Sequence, residues 1–312
     1  MSGHVVALSG GVGGAKLADG LARVLGGEDL TIIVNTGDDF RHLGLHVSPD
    51  IDSVVYALAG LADPVKGWGR RDETWRFMAA LAGIGGETWF QLGDADLAMH
   101  VERSWRLAAG EPLSAVTDRI RRQLGIGARI LPMSDDPVRT RVQTDAGWLD
   151  FQDYFVHRRC EPAVRAIEFA GAERARAQAD ALAALQRPDL RAVVVCPSNP
   201  LVSIEPILAV PGLRAALEQA AAPVLAVTPI IRGQAVKGPA AKMLRELGFE
   251  ASSGAVARRY AGLVDVFVSD AADPPPGPLP GMQFAQAPTL MSGVEDREQL
   301  ARTVLELADR AG

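Results

Sequence analysis

A short apolar run, a glycine-rich turn and an amphipathic helix open the chain, and they constrain its fold more than anything that follows. His4 to Ser9 reads as a buried strand, Gly10-Gly11-Val12-Gly13-Gly14 as a loop, and Ala15 to Leu25 as a helix with Leu17, Leu21 and Leu25 at four-residue spacing. A second β-rich run, Leu30 to Val34, ends in Asn35-Thr36-Gly37-Asp38-Asp39. Strand, turn, helix, strand is a βαβ unit, whose crossover favours parallel pairing and a right-handed connection.

The alternation continues. Ser48 to Ala82 reads as mainly helical with a break at Trp68-Gly69, and Leu97 to Leu124 as helical between weak strands at Thr88–Leu92 and Ala128–Leu131. Trp148 to Val156 reads as an edge strand, Ala172 to Leu185 as helix and Ala192 to Cys196 as the clearest later strand. Val224–Val227, Ala240–Leu247 and Val264–Val268 extend the α/β pattern, and a last helix starts near Glu295 after the proline-rich bend at Pro274–Pro280. The expectation is an α/β unit over 1–312, with a Rossmann-like, mainly parallel sheet flanked by helices. Its core would take 1–50 and 125–312, and 51–124 would form an inserted, mainly helical lobe.

Composition narrows the class. Hydrophobic residues at 48% and charged residues at 22% describe an ordinary globular chain. A formal charge of −6, with no basic stripe, argues against a nucleic-acid partner. The start, Met1-Ser2-Gly3-His4, lacks the basic and apolar regions of a cleaved leader, and no apolar run reaches the ~18 residues of a membrane span. Cys160 and Cys196 are far apart and form no metal spacing, which fits a reducing compartment. A cytoplasmic protein without a membrane partner is expected.

Candidate chemistry sits where predicted strands end. Gly10, Gly11, Gly13 and Gly14 let backbone N–H groups approach an anion at a helix start, with Lys16 adding charge; the same glycines also suit a tight structural turn. Asn35 follows the second strand. The acidic pairs Asp38/Asp39, Asp50/Asp52, Asp94/Asp96 and Asp135/Asp136 recur at similar positions, as ligands for Mg²⁺ or as turn and helix caps. His100 and Arg103 either contact phosphate or form a hydrogen-bonded histidine beside a solvated arginine. Ser134, Ser198, Asn199 and Ser203 offer polar groups to a nucleotide or cap their own backbone. Lys237, beside Gly238, is the favoured phosphate ligand of its loop. Trp148, Phe151, Tyr154 and Phe155 serve an aromatic substrate or the core. His42 and His46 lack zinc spacing, and neither Ser9 nor Cys196 has a base that would make it a nucleophile.

The motifs SGGVGGAKLADGL, NTGDD, SPDID, LGDADLAMH, ILPMSDDPVRT, FQDYFV, PSNPLVSI and TPIIRGQAVKGPAAKM occur in that order from about Ser9 to Met243. In this combination the chain resembles the 2-phospho-L-lactate transferase family, also described as phosphoenolpyruvate transferase in many bacteria. The resemblance implies an enzyme of coenzyme F420 biosynthesis. Such an enzyme moves a 2-phospholactyl, phosphoenolpyruvyl or related phosphorylated three-carbon acid group from a guanosine diphosphate adduct to Fo (7,8-didemethyl-8-hydroxy-5-deazariboflavin). The product is F420-0 or dehydro-F420-0, and GMP leaves. The resemblance further implies Mg²⁺ and a homodimer. It carries functional weight onto Gly10–Gly14, Asp50, Asp52, Asp94, Asp96, Asp135, Asp136, Ser198, Asn199 and Lys237. Asp50 or Asp52 would then position Fo or activate its hydroxyl, with the pairs Asp94/Asp96 and Asp135/Asp136 as further Mg²⁺ candidates. A guanosine-nucleotide sensor without turnover and a different nucleotide-dependent transferase are the alternatives.

Overall fold

Seven parallel strands form the central sheet: β1 His4–Ser9, β2 Leu30–Val34, β3 Arg129–Pro132, β4 Leu190–Val195, β5 Val224–Val227, β6 Val266–Asp270 and β7 Gln283–Ala287, in the order β7-β6-β5-β4-β1-β2-β3. The structure is a computed structural model and describes residues 3–312. Met1 and Ser2, part of the start read above against a leader, lie outside the described residues. Among the described residues no helix is long and apolar enough to cross a membrane.

The central strands are apolar on both sides because helices cover both faces of the sheet. Val6 and Leu8 of β1 join the core on one face, and Val5 and Ala7 join the core on the other. α1 spans Gly11–Leu25 and buries Leu17, Ala18 and Leu21. Each fully buried leucine contributes about 1.5–3 kcal/mol. The helix stops at Gly26, whose φ of 82° suits a residue without Cβ. α1 packs against both α2 (Pro49–Leu58) and the C-terminal helix Val294–Ala311.

Within 51–124, α2 therefore lies on the sheet layer. It is followed by α3 (Arg76–Gly83), α4 (Asp94–Ala108) and α5 (Leu113–Gln123), with α5 packed on β3 and α4 on both α5 and the strand Leu45–Val47. A separate antiparallel sheet joins Arg139–Thr144 to Gly147–Asp150 and Val164–Ala170.

Several local expectations need correction. The glycine run is not a loop before the helix; it is the helix's first turn, which begins at Gly11. Thr88–Leu92 is not a strand. Trp89 and Phe90 instead pack tilted or edge-on against Phe40 and His42. The helical run after Leu97 divides at Gly110-Glu111-Pro112, because proline favours a helix start over an interior. Trp148–Val156 is an edge strand only as far as Asp150, and a π-helix, Asp153–His157, follows. Ala172–Leu185 is a short 3₁₀ turn followed by a helix from Ala179.

The approach of α1 to the C-terminal helix depends on Gly20, where an added Cβ would run into the backbone carbonyl of Arg297. Gly20→Val should therefore lower stability by about 1–3 kcal/mol through overpacking. The check is the urea midpoint; a midpoint at the wild-type value would show that the two helices can separate without loss.

Candidate active site

A cavity of about 650 Å³ opens beyond the carboxyl ends of β1, β4 and β5, lined by Gly10–Gly13 after β1, Pro197–Asn199 after β4 and Thr228–Pro229 after β5. The strand order reverses between β1 and β4, and a crevice at such a point is where open α/β sheets hold ligands. The first N–H groups of α1 have no partner within the helix. That of Gly11 donates to Asp50 Oδ1 at 2.7 Å. Val12 and Gly13 line the cavity. A Cβ at Gly13 would stand 2.5 Å from the Pro197 carbonyl, and one at Gly10 would stand 2.6 Å from Asp50 Oδ2, so these glycines permit close packing as well as anion approach. Gly14 is buried against Ser9 and Ser198, behind the cavity wall.

Asp50, in the first turn of α2, also accepts from Asn35 Nδ2 at 2.9 Å, and the same amide reaches the Val202 carbonyl at 3.2 Å. Burial pushes the Asp50 carboxyl up to about 7. Asp38 is raised well above the ordinary carboxylate range, first by burial and then by the Asp50 charge, and its Oδ1 is buried without a hydrogen-bond partner. Asp38 and Asp50 both line the cavity, whereas Asp39 turns to Ser48 Oγ at 2.8 Å and His46 Nε2 at 3.0 Å.

Asp52 is held differently. Arg103 Nη1 donates to Asp52 Oδ2 at 3.2 Å and Nη2 to Oδ1. Burial works against the Arg103 charge and Asp52 more than offsets it, keeping the guanidinium protonated. Arg103 is therefore buried between helices and does not reach out to a phosphate as the sequence suggested. His100, on the cavity wall, has Nε2 3.2 Å from Asp96 Oδ1, and the Tyr56 hydroxyl donates to that same oxygen. Tyr56 was missed in the sequence, although it stands four residues after Asp52 on α2 and so shares its face.

Two cations flank the glycine turn. Lys16 Nζ donates to the Met291 carbonyl at 2.7 Å, and Lys237 Nζ to the Gly67 carbonyl at 2.5 Å and the Lys66 carbonyl at 3.3 Å. Burial lowers both amines, and an anion beside them would offset the solvation they lose. Ser198, Asn199, Ser203 and Gly238 complete this part of the wall. Ser198 Oγ accepts from Gly10 N at 3.0 Å, and Asn199 caps its own turn through Leu201 N. Opposite, Phe151 and Phe155 stack at 5.5 Å with their planes 12° apart. Tyr154 is buried in the core, and Trp148 lies outside the cavity lining.

The four acidic pairs converge only in part: Asp38, Asp50 with Asp52, and Asp96 line the cavity, whereas Asp39, Asp94, Asp135 and Asp136 do not. Asp94 caps α3 through Phe77 N at 3.0 Å and Arg76 N at 3.2 Å. Asp135 accepts from Ser114 N at 2.7 Å at the start of α5, and Asp136 pairs with Arg176 at 3.1 Å. Ser134 Oγ donates to the Arg176 carbonyl. None of these four lines the cavity. Each meets a neighbouring backbone or side-chain group, and sequence spacing alone does not separate that role from metal binding.

Among the described residues no group of three or more His, Cys, Asp or Glu is arranged to hold a metal ion. Mg²⁺ commonly takes only one or two carboxylates and completes its shell with water and substrate phosphates. The unpartnered Asp38 oxygen and the two raised carboxyls fit that donor set.

Comparison with known proteins identifies the family. A family model described as 2-phospho-L-lactate transferase CofD matches residues 5–306. The chain is 41% identical to a phosphoenolpyruvate transferase of Streptomyces griseus subsp. griseus, covering 98% of each chain. It is 39% identical to a 2-phospho-L-lactate transferase of Methanosarcina acetivorans, over 98% of this chain and 99% of that one. A crystal structure of a UPF0052 family protein from Bacillus halodurans shares the fold, with a TM-score of 0.63 at 14% identity over 98% and 99% of the two chains. The chain is a transferase and belongs to the 2-phospho-L-lactate transferase CofD family.

Proposed function

We propose that this chain transfers a phosphoenolpyruvyl or 2-phospholactyl group from a guanosine diphosphate adduct to Fo in coenzyme F420 biosynthesis, releasing GMP. The observation that carries the reading is the make-up of one cavity. The start of α1 with Lys16 and Lys237 suits a diphosphate, the Asp38–Asp50 pair suits a cation beside it, and the stacked Phe151 and Phe155 suit a flat heteroaromatic acceptor. The relatives' names support the acid group. Asp38 and Asp50 would hold Mg²⁺, which when bound neutralises phosphoryl oxygens. The lysines and the α1 backbone orient the diphosphate, and the aromatic shelf holds the acceptor with its hydroxyl toward phosphorus. Two further readings go with this one. The free cysteines fit a cytoplasmic location, and the exposed stripe Ala98, Val101 and Trp105 on α4 fits the contact face of a homodimer.

Purified protein with Fo, Mg²⁺ and each acid adduct should release GMP and form the matching Fo phosphodiester, read by mass spectrometry. Guanosine diphosphate binding without product would instead favour the nucleotide sensor. D50N should cut turnover by at least ~10²-fold if charge at the phosphoryl group supplies most of the catalysis.

The pH sign is defined by Asp50. Its folded value of about 7 lies above the ordinary 3.8, so the fold binds this proton more tightly than the unfolded chain does. The metal-free fold therefore gains from this group at low pH and loses that stability as pH rises through about 7. Mg²⁺ needs the charged carboxylate, so its thermal stabilisation should be larger at about pH 8 than at about pH 5. An equal shift at both pH values, or one retained in D50N, counts against the site.

For the dimer, W105E should convert a wild-type dimer to monomer in light scattering. A wild type that is already monomeric, or a W105E dimer, removes that assignment.

A further inference from the structure

We propose that Asp96 is the catalytic base that takes the proton of the acceptor hydroxyl, an assignment that rests on the transferase reading above. Four carboxylates face the cavity: Asp38, Asp50, Asp52 and Asp96. Both oxygens of Asp50 already accept N–H groups, from Gly11 and Asn35. Both oxygens of Asp52 are held by the Arg103 guanidinium. Asp38, like Asp50, is assigned to the cation in that reading, which leaves neither to take the proton.

Asp96 differs in each respect. Its Oδ1 accepts the Tyr56 hydroxyl and lies 3.2 Å from His100 Nε2. Its Oδ2 has no protein donor among the described residues, and 14% of the side chain stays open. One oxygen held in place and the other without a protein donor, on a residue that lines the cavity, is the arrangement a general base needs, because orientation is gained without losing the proton acceptor. The structural task expected of an acidic residue in a helix's first turn is also already filled. The backbone N–H groups of Ala95 and Asp96 donate to the Glu73 carboxylate at 2.8 and 2.7 Å, and Asp94 caps α3.

The charged and titratable groups around Asp96 are Tyr56 and Asp52 on α2, His100 and Arg103 on α4, Glu73 in the preceding loop, and Lys66 and Arg70, which line a small pocket with it. Burial alone would push the Asp96 carboxyl up, but His100 and Tyr56 outweigh it and hold it below its ordinary value. It stays ionised throughout the neutral range. A weak base suffices, since the hydroxyl becomes strongly acidic only as its bond to phosphorus forms.

The step balances. The hydroxyl oxygen forms a bond to the phosphorus that carries the acid group, and its proton passes to Asp96 Oδ2. The bond between that phosphorus and the bridging oxygen breaks, and its electron pair leaves on GMP.

The test is turnover of D96N and D96A with Fo, Mg²⁺ and the adduct that the wild type accepts, beside calorimetric binding of guanosine diphosphate. Both variants should bind guanosine diphosphate as wild type does and lose about 10²–10⁴-fold in kcat. Added formate should restore part of the D96A rate, which a merely structural role would not allow. D96N within threefold of wild-type kcat, or D96A unmoved by formate, overturns the assignment. If neither variant folds, Y56F decides: loss of the hydrogen bond that orients the base should lower kcat about tenfold with KM unchanged. A Y56F enzyme with wild-type kcat overturns the assignment. A wild type inactive with every adduct fails the transferase reading itself, whereas an active wild type beside an equally active D96N fails Asp96 alone.

Discussion

The Asp50 carboxylate joins four segments that are remote in sequence. It accepts from Gly11 at the start of α1 and from Asn35 at the end of β2, it belongs to the first turn of α2, and through the Asn35 amide it is linked to Val202 beyond β4. A buried carboxylate is costly without such donors. Its burial therefore ties the carboxyl end of the sheet, two helices and a loop into one arrangement. Gly10 and Gly11 follow from this. A Cβ at the first would meet Asp50, and the second adopts φ of +63° to aim its N–H at the carboxylate.

Acidic residues that look equivalent in a linear chain do different physical work here. Burial and the Asp50 charge raise Asp38, while burial, with Asp39 and Asp52 nearby, raises Asp50. Asp52 ties α2 to α4 through Arg103, and removing either partner of such a buried pair costs about 3–5 kcal/mol. Asp136 pairs with an Arg176 side chain that is 88% exposed, where water screens the bond. Burial separates an ion pair that positions the cavity wall from one that only decorates a surface.

Two π-helices, Asp153–His157 and Pro200–Ile204, both contribute to the same cavity, through Phe155 and Val156 and through Val202 and Ser203. The wider turn of a π-helix is uncommon and is often found at functional sites. Here it turns Tyr154 into the core while Phe155 joins the cavity wall. A reading by strand and helix periods cannot anticipate this, and it is why such a reading extends the edge strand, which ends at Asp150, to Val156.

Much of the fold was legible because local patterning governs it. The apolar runs of β1, β2, β4 and β5, the four-residue spacing along α1 and the glycines between them set a parallel α/β sheet without reference to distant residues. The clustering of glycines, lysines and aspartates at strand ends was equally readable, and with the ordered motifs it led to the family. Which of those aspartates face a ligand was decided only by tertiary structure. Asp94 and Asp135 became caps because free helix N–H groups lay within reach, and Arg103 became a buried partner because Asp52 stood across from it. A carboxylate makes the same hydrogen bonds in any of these settings. Its role follows from the donors that folding brings within about 3 Å, and those come from residues tens of positions away.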